Sequence, residues 1–191
     1  MFSPATDRNK QPIFERITPY LMDATHLLEI ACGSLQHATF MAPQMPHLTW
    51  QPSDLSRRAI AHGTKLADRP ENVLEPMYLD VLQPWPELTA DMVFTANLLH
   101  ISPEPVAEHL CQGSAKLLPP GGRLIIYGPF KQYGQHNSPG NAAFDEDLRQ
   151  RNPAWGIRDL EQVQSLAQAS GFANEALIDM PANNRLLVFS R

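Results

Sequence analysis

The sequence predicts an α/β fold: a mostly parallel β-sheet with helices on both faces. Short apolar runs alternate with segments of helical spacing through residue 128. The run at residues 27–31 turns at the lone glycine Gly33 into a segment that can be helical, which is the unit that places a ligand at a helix N-terminus. Near the end, two apolar runs flank residues 181–184, which predicts a hairpin and one antiparallel strand.

The 191-residue chain is long enough for a sizeable core, and a single domain over residues 1–191 is expected. Hydrophobic residues make up 43% and charged residues 18%, which indicates a globular chain rather than a disordered one. The net charge of −5, with no basic run, argues against a dedicated nucleic-acid binder. The 2 cysteines, Cys32 and Cys111, are too few for a disulfide framework or a structural zinc site.

The positions of the charged residues and the spacing of possible metal ligands limit the class of protein further. Residues 1–22 carry too many charged side chains for a signal-peptide core, and no run of about 18 apolar residues predicts a membrane span. His, Cys, Asp and Glu do not recur at metal-ligand spacings, so no metal site is predicted. We therefore expect a cytoplasmic enzyme or binding domain without a membrane partner, and the sequence leaves its oligomeric state open.

The first half of the chain divides at prolines and polar turns. Residues 1–22 form an N-terminal arm and helix: residues 1–11 are expected to be irregular, and Pro12 suits the first turn of a helix that Pro19 ends or kinks. Ser102 and Pro103 suit the N-cap and first position of a later helix. The other predicted helices are residues 36–45 and 55–66, and the predicted strands are residues 27–31, 48–52, 73–81 and 91–98.

The second half begins with a strong stop and turn at residues 119–122. Residues 123–127 predict a fifth strand, and residues 128–159 predict a loop or cap insertion. Residues 160–170 show one apolar helical face, and Gly171 is well placed to end that helix. The hairpin strands are predicted at residues 176–180 and 186–190.

Polar residues end or follow successive predicted strands: Gly33, Asp54, Asp80, Asn97 and Tyr127. Because the carboxyl ends of parallel strands meet at one edge of a sheet, ligands bind there. Asp and Asn are also common turn residues, so each one alone has a structural explanation. Glu29 lies inside the first strand, where a carboxylate is costly unless paired. It could bind ligand hydroxyls or a cationic group, or it could cap nearby backbone amides.

These positions resemble the class I S-adenosylmethionine-dependent methyltransferases. Their first strand and loop read Glu-x-Gly-x-Gly-x-Gly, and here Glu29, Ala31, Gly33 and Leu35 stand at the matching places. The resemblance implies a Rossmann-like, three-layer αβα sandwich with a seven-stranded sheet in the order 3-2-1-4-5-7-6. It also implies S-adenosylmethionine as the cofactor, with an acidic residue on the ribose hydroxyls. The cofactor-binding residues that it implies are Glu29, Ala31, Gly33, Ser34, Asp54, Asp80, Val81 and Asn97.

A closer resemblance extends over nearly the full chain. The stretches that carry it are residues 9–13, 28–33, 36–38, 50–54, 97–102, 128–130, 141–148, 155–159 and 180–184. They resemble the methyltransferase-like 26 family, a domain of unknown function, which usually has glycine where Leu35 stands. A leucine adds bulk beside the expected methionine moiety, so the cofactor could shift or bind more weakly, and Leu35→Gly is predicted to tighten binding.

His100 and Tyr127 are the candidate catalytic residues. His100 follows the fourth strand and could act as a general base, or it could face a loop or cap a helix. Tyr127 ends the fifth strand and could touch the substrate or close the core. Arg158 could anchor an anionic acceptor, or it could staple a loop together with a tryptophan. The candidate substrate-binding residues are Asn9, Asn141, Phe144, Trp155, Arg158, Asn183 and Asn184.

Three functions fit these residues. The first is an S-adenosylmethionine-dependent methyltransferase that acts on an unknown small molecule. The second is an NAD(P)-binding oxidoreductase, although the fingerprint Gly-x-Gly-x-x-Gly is absent, since Ala31, Gly33 and Gln36 occupy those places. The third is a non-catalytic binding or scaffold domain that kept the fold, for which Leu35 is the best support.

Overall fold

Six α-helices and nine strands make up the computed structural model, which describes residues 2–191. The α-helices are α1 (Pro4–Leu21), α2 (Gln36–Met41), α3 (Arg57–Thr64), α4 (Pro105–Leu117), α5 (Pro139–Arg151) and α6 (Leu160–Ala169). The strands are β1 (His26–Ile30), β2 (Thr49–Asp54), β3 (Met77–Tyr78), β4 (Met92–Ala96), β5 (Arg123–Gln132), β6 (Gln135–His136), β7 (Arg158–Asp159), β8 (Ala173–Met180) and β9 (Asn184–Ser190). Short 3₁₀ turns lie at Ala42–Gln44, Leu99–Ile101 and Pro181–Asn183.

Seven of the strands follow one another in the order β3-β2-β1-β4-β5-β9-β8, and the short β6 and β7 pair with β5. The strands from β3 to β5 run parallel, with Leu28 of β1 opposite Gln51 of β2 and Val93 of β4. β9 is antiparallel to both β5 and β8. The predicted fold and sheet order are confirmed, because the two hairpin strands take the sixth and seventh places of the predicted order.

Two buried apolar clusters lie on the two faces of the sheet, and alternate strand residues supply them. In β1, Leu28 and Ile30 join the cluster under α4 and α6, whereas Leu27 joins the cluster under α1 and α2. Helices therefore cover both faces, as the αβα sandwich requires. None of the helices within residues 2–191 has both the length and the apolar character that a membrane span needs.

The N-terminal arm is helical from Pro4, which corrects the expectation of irregular structure for residues 4–11; Phe2 and Ser3 precede the helix, and Met1 lies outside the described residues. The Ser3 hydroxyl caps α1 by accepting a hydrogen bond from a first-turn amide at 3.2 Å. Pro12 and Pro19 lie inside the helix, where each removes a backbone donor. Burial of an apolar stripe outweighs that local cost. The buried residues of α1 are Ile13, Ile17 and Leu21.

The insertion at residues 128–159 contains regular elements, so the expectation of a loop is wrong there. β5 continues to Gln132 and turns back into β6, and α5 follows. The Ser138 hydroxyl caps α5 by accepting from the Asn141 amide at 3.1 Å, and Pro139 occupies the first turn. The serine–proline pair is a helix-start signal that was available in the sequence.

The predicted boundaries of one strand and one helix are also corrected. The third strand, expected over residues 73–81, is limited to the two residues of β3, with an isolated bridge to β2 at Val73. Pro76 interrupts this run because proline has no backbone donor for the ladder. The helix expected to start at residues 102–103 begins at Pro105.

Candidate functional site

A cavity of about 600 Å³ lies at the carboxyl ends of β1, β4 and β5. The loop after β1 lines it, together with the first turns of α1, the turn after β4, α5 and the turn between β8 and β9. Sheets of this topology bind ligands at this rim, so the cavity is the candidate site. The predicted site residues that it brings together are Asn9, Ala31, Gly33, Ser34, Asn97, His100, Tyr127, Asn141, Phe144 and Asn184.

The loop after β1 presents only small side chains to the cavity, those of residues 31–34. Ala31, Gly33 and Leu35 have left-handed backbone angles, with φ of 61°, 54° and 60°. This conformation costs a non-glycine residue roughly 1–2 kcal/mol, so surrounding contacts must hold the loop. One of them is the Gly33 amide, which donates to Asp54 Oδ2 at 2.9 Å.

Leu35 is a core residue, which corrects the expectation of bulk beside the ligand. Its side chain is 0% exposed and belongs to the apolar cluster under α1 and α2. A Cβ added at Gly63 of α3 would lie 2.7 Å from Leu35 Cδ1. The glycine missing from the loop is thus matched by a glycine in α3, which makes room for the leucine, and the cavity stays open.

Glu29 lies buried outside the cavity lining, 1% exposed, and is paired within the protein. The Trp50 indole Nε1 donates to Glu29 Oε2 at 2.7 Å, and His37 Nδ1 lies 3.6 Å from Glu29 Oε1. His37 Nε2 lies 2.9 Å from Oδ1 of Asn9 in α1. A buried carboxylate needs such partners. Glu29 therefore acts on the cavity through His37 and Asn9, which both line it.

Asp54 and Asp80 end or follow the two strands beyond β1, and neither lines the cavity. Asp54 accepts from the Gly33 amide through Oδ2 and from the Ser56 amide at 2.7 Å through Oδ1. Asp80 Oδ1 accepts from the amide two residues later at 3.0 Å, and Val81 is buried. The bonds from the Ser56 amide and from the amide two residues after Asp80 are the turn bonds that aspartate forms, whereas the bond from Gly33 joins Asp54 to the loop after β1. Because a carboxylate has about four acceptor sites, both residues keep capacity for a ligand.

Tyr127 lines the cavity at the end of β5 and is 4% exposed. Burial raises the pKa of its phenol, while hydrogen bonds with the side chains of Asn9 and Asn184 act in the opposite direction. Asn97, at the end of β4, has φ of 63° and donates its amide to the Tyr127 carbonyl at 2.8 Å. A protonated hydroxyl is therefore held at this end of the cavity at neutral pH.

His100 lines the cavity from the turn after β4 and is 6% exposed. Burial lowers the pKa of its imidazole to about 4, and the positive charge of Arg158 adds to this effect. The ring packs edge-on against Phe144 of α5, with ring centroids 5.5 Å apart. The imidazole is neutral at neutral pH, so it can donate or accept a hydrogen bond but is a weak base.

Amide side chains join α5 to the turn between β8 and β9. Asn141 Nδ2 donates to Asn137 Oδ1 at 2.8 Å and to the Asn183 carbonyl at 3.1 Å. Asn183 thus supports the cavity wall through its backbone and does not line the cavity. Asn184 Nδ2 donates to the Pro181 carbonyl at 3.1 Å. The polar wall on this side is built from uncharged groups that bind one another.

The whole chain, residues 1–191, matches the family described as "Protein of unknown function (DUF938)". The chain belongs to this family. The match spans all the elements that form the cavity, from α1 to the turn between β8 and β9.

Solved structures with the fold of this DUF938 protein include methyltransferases. Human N-acetylserotonin methyltransferase in complex with SAM is 15% identical at a TM-score of 0.81, over 98% of this chain and 52% of that one. An O-methyltransferase family protein from Burkholderia thailandensis is 21% identical at a TM-score of 0.80, over 98% and 57%. PigF with SAH is 15% identical at a TM-score of 0.81, over 97% and 56%. The DUF938 chain thus spans little more than half the length of these proteins.

Arg158 and Trp155 line a second cleft of about 400 Å³ in the DUF938 protein, not the cavity. Arg158 is 8% exposed and donates through Nη1 to the Gly156 carbonyl at 3.0 Å and through Nη2 to the Ser102 carbonyl at 2.5 Å. The Arg151 guanidinium lies 5.5 Å from the Trp155 ring centroid. The expectation that Arg158 anchors an acceptor in the cavity is therefore corrected, and the loop-staple interpretation fits this geometry.

Sequence reasoning predicted Asn9 as a site residue but missed other residues of the first turns of α1 that line the cavity. Ser3, Thr6 and Arg8 line it. The Ser3 amide donates to Oε1 of Gln36 in α2 at 2.6 Å, which ties the start of α1 to the start of α2. The available signal was Ser3 followed by proline, a common N-cap and first position of a helix.

Cys32 is the one thiol among the described residues of the cavity lining. Burial raises its pKa far above the usual range, and the nearby carboxylates of Glu29 and Asp54 raise it further. The thiol is therefore protonated and unreactive at neutral pH. No group of three or more His, Cys, Asp or Glu within residues 2–191 is arranged to hold a metal ion.

Proposed function

We propose that this protein is an S-adenosylmethionine-dependent methyltransferase that acts on a small molecule. The observation that carries the proposal is the cavity at the carboxyl ends of β1, β4 and β5, which is lined both by the loop after β1 and by α1, α5 and the hairpin turn. One part of that lining suits a cofactor and the other an acceptor. Support comes from proteins of the same fold, one of them a methyltransferase, that were crystallised with SAM or SAH.

The loop after β1 fits a cofactor in its present form. Residues 31–34 are small, and no atom lies within 4 Å of the position that a Cβ on Gly33 would take. Leu35, which stands in place of the expected glycine, is buried away from this space. Asp54 would hold the ribose hydroxyls, and Asp80 with Val81 would lie at the adenine, since both carboxylates keep acceptor capacity.

The residues of the cavity would orient the acceptor and exclude water. When bound, S-adenosylmethionine supplies an electrophilic methyl group on a sulfonium. Asn141, Phe144 and Asn184 would position the acceptor, because they line the side formed by α5 and the hairpin turn. His100 would accept a hydrogen bond from the acceptor; with a pKa of about 4 it takes a proton only from an acidic group or late in the reaction.

Within the DUF938 family, we infer that the chain is of the methyltransferase-like 26 type. The stretches that carry this resemblance are far apart in the sequence, and several contribute to one cavity. Asn9, His37, Asn97 and Asn141 come from four of them and all line the cavity. A shared function of these stretches, rather than shared packing alone, would account for this convergence.

Ligand binding tests the proposal. S-Adenosylhomocysteine is expected to raise the melting temperature and to give a binding isotherm in calorimetry, whereas NAD and NADP give neither. No heat and no shift with S-adenosylhomocysteine at millimolar concentration would contradict the proposal. Methyl transfer is tested by incubating the protein with methyl-labelled S-adenosylmethionine and a small-molecule extract. Label in a small molecule is expected for the wild type and not for Asn141→Ala.

A further inference from the structure

Of the described residues that line the cavity, Arg8 alone carries a permanent charge. It lies on α1 and is exposed. Within residues 2–191, its guanidinium has no carboxylate at ion-pair distance and no hydrogen-bond or ring partner. The other described residues of the lining include no Asp, Glu, Lys or second Arg. A cation without a partner at a cavity whose lining has no carboxylate favours an anionic ligand.

Tyr127 provides a second donor. The neighbouring Asn9 side chain is held by His37, whose Nε2 lies 2.9 Å from Asn9 Oδ1. Burial raises the pKa of the Tyr127 phenol, so the hydroxyl keeps its proton at neutral pH. A protonated phenol can donate that proton in a hydrogen bond. Because Tyr127 lines the cavity, that proton is available to a ligand oxygen.

We propose that Arg8 and the Tyr127 hydroxyl together bind a carboxylate of the ligand in the cavity. A guanidinium pairs with a carboxylate through two parallel hydrogen bonds, and the phenol adds a further donor. Both groups line the same cavity, Arg8 from the first turns of α1 and Tyr127 from the end of β5. The carboxylate belongs either to the amino-acid part of S-adenosylmethionine, which rests on the proposed function, or to the acceptor.

The first arm of the test is calorimetry with two nucleosides. S-Adenosylhomocysteine carries the amino-acid carboxylate, and 5′-methylthioadenosine lacks it. If the cofactor supplies the carboxylate, Arg8→Gln and Tyr127→Phe weaken S-adenosylhomocysteine binding about 10- to 100-fold and leave 5′-methylthioadenosine binding unchanged. Arg16→Gln is the matched control, because it removes an exposed cation of the same helix that does not line the cavity.

The second arm is a thermal-shift comparison of benzoate with benzamide, which share an aromatic ring suited to Phe144 and differ in charge. It is run with and without S-adenosylhomocysteine. If the acceptor supplies the carboxylate, benzoate raises the melting temperature of the wild type and of Arg16→Gln, and benzamide does not. Arg8→Gln then loses the benzoate shift while it keeps the wild-type melting temperature without ligand, because Arg8 is exposed.

Four outcomes separate the possibilities. Dependence on Arg8 in either arm supports the carboxylate site, and the arm that shows it identifies the source. A wild type that binds S-adenosylhomocysteine, with no effect of Arg8→Gln in either arm, rules out the carboxylate site and leaves the proposed function standing. A wild type that binds no S-adenosylhomocysteine but shows an Arg8-dependent benzoate shift overturns the proposed function and supports the site; no response in either arm overturns both.

Discussion

The two sides of the cavity rim are built by different means. On the side of β2 and β3, Asp54 and Asp80 accept hydrogen bonds from backbone amides of nearby turns. On the side of α1, α5 and the hairpin turn, asparagine side chains bind one another, backbone carbonyls and Tyr127. The first side therefore depends mainly on local turn chemistry, and the second depends on contacts between distant segments. Glu29 connects them, because it lies in β1 and holds His37 and, through it, Asn9.

Glu29→Ala is expected to have the largest effect, because it breaks the connection between the two sides. It leaves Trp50 Nε1 and His37 Nδ1 without their buried partner. We expect the free energy of unfolding to fall by about 3–5 kcal/mol. Urea unfolding followed by tryptophan fluorescence measures this change. Glu87→Ala, which removes an exposed carboxylate, should stay within about 0.5 kcal/mol of the wild type; equal loss in both variants would show that the connection does not matter.

Leu35→Gly is expected to lower the free energy of unfolding by about 2–3 kcal/mol, because the lost core contacts exceed the relieved backbone strain. S-Adenosylhomocysteine binding should not become tighter. Leu35→Ala is the matched variant: it loses nearly the same volume and keeps the left-handed strain, so it should be less stable than Leu35→Gly by about 1 kcal/mol. Unchanged stability with tighter binding would place the leucine at the ligand after all.

His100, which lies on the α5 side of the rim, is expected to make the stability of the protein depend on pH. Its pKa lies at about 4 in the folded protein, below the ordinary 6.5, so the unfolded chain binds the proton first. The free energy of unfolding therefore keeps its full value above pH 6.5 and falls by about 2–3 kcal/mol as the pH drops to about 4. Denaturation of the wild type and His100→Gln at pH 7.5 and 4.5 measures it. A pH dependence in His100→Gln equal to that of the wild type would refute the assignment.

Asp54→Ala is expected to have the smallest effect of these variants. It tests whether the two sides of the rim differ in their part in cofactor binding. It should weaken S-adenosylhomocysteine binding by about 1–3 kcal/mol, the loss of a charged hydrogen-bond partner. Asn141→Ala, on the opposite side, should leave that affinity near the wild-type value and remove methyl transfer. Calorimetry with both variants, and with the exposed Asp68→Ala as control, measures this contrast. Unchanged affinity in Asp54→Ala would make Asp54 a turn residue alone.

Periodicity predicted the parallel core well, because each core strand is buried on both faces and reads as an apolar run. β1, β4 and the first half of β5 were identified in this way, as were α6 and the terminal hairpin. The first turns of α1 and all of α5 were not, because their sequences are polar and contain prolines. Both helices are held by serine caps and by burial against the sheet or the cavity wall, and a weak local pattern does not reveal such contacts.

The sequence by itself determined the chain order of the core strands and of most helices, and the polar residues at the strand ends, since these follow from local periodicity and turn chemistry. Only the tertiary structure decided which of those side chains reach the cavity. Leu35 turns into the core because Gly63, 28 residues later in the chain (63 − 35), leaves space for it. Arg158 binds backbone carbonyls while Arg8 lines the cavity. The physical reason is that a side chain's direction depends on partners distant in the sequence, which residue spacing does not encode.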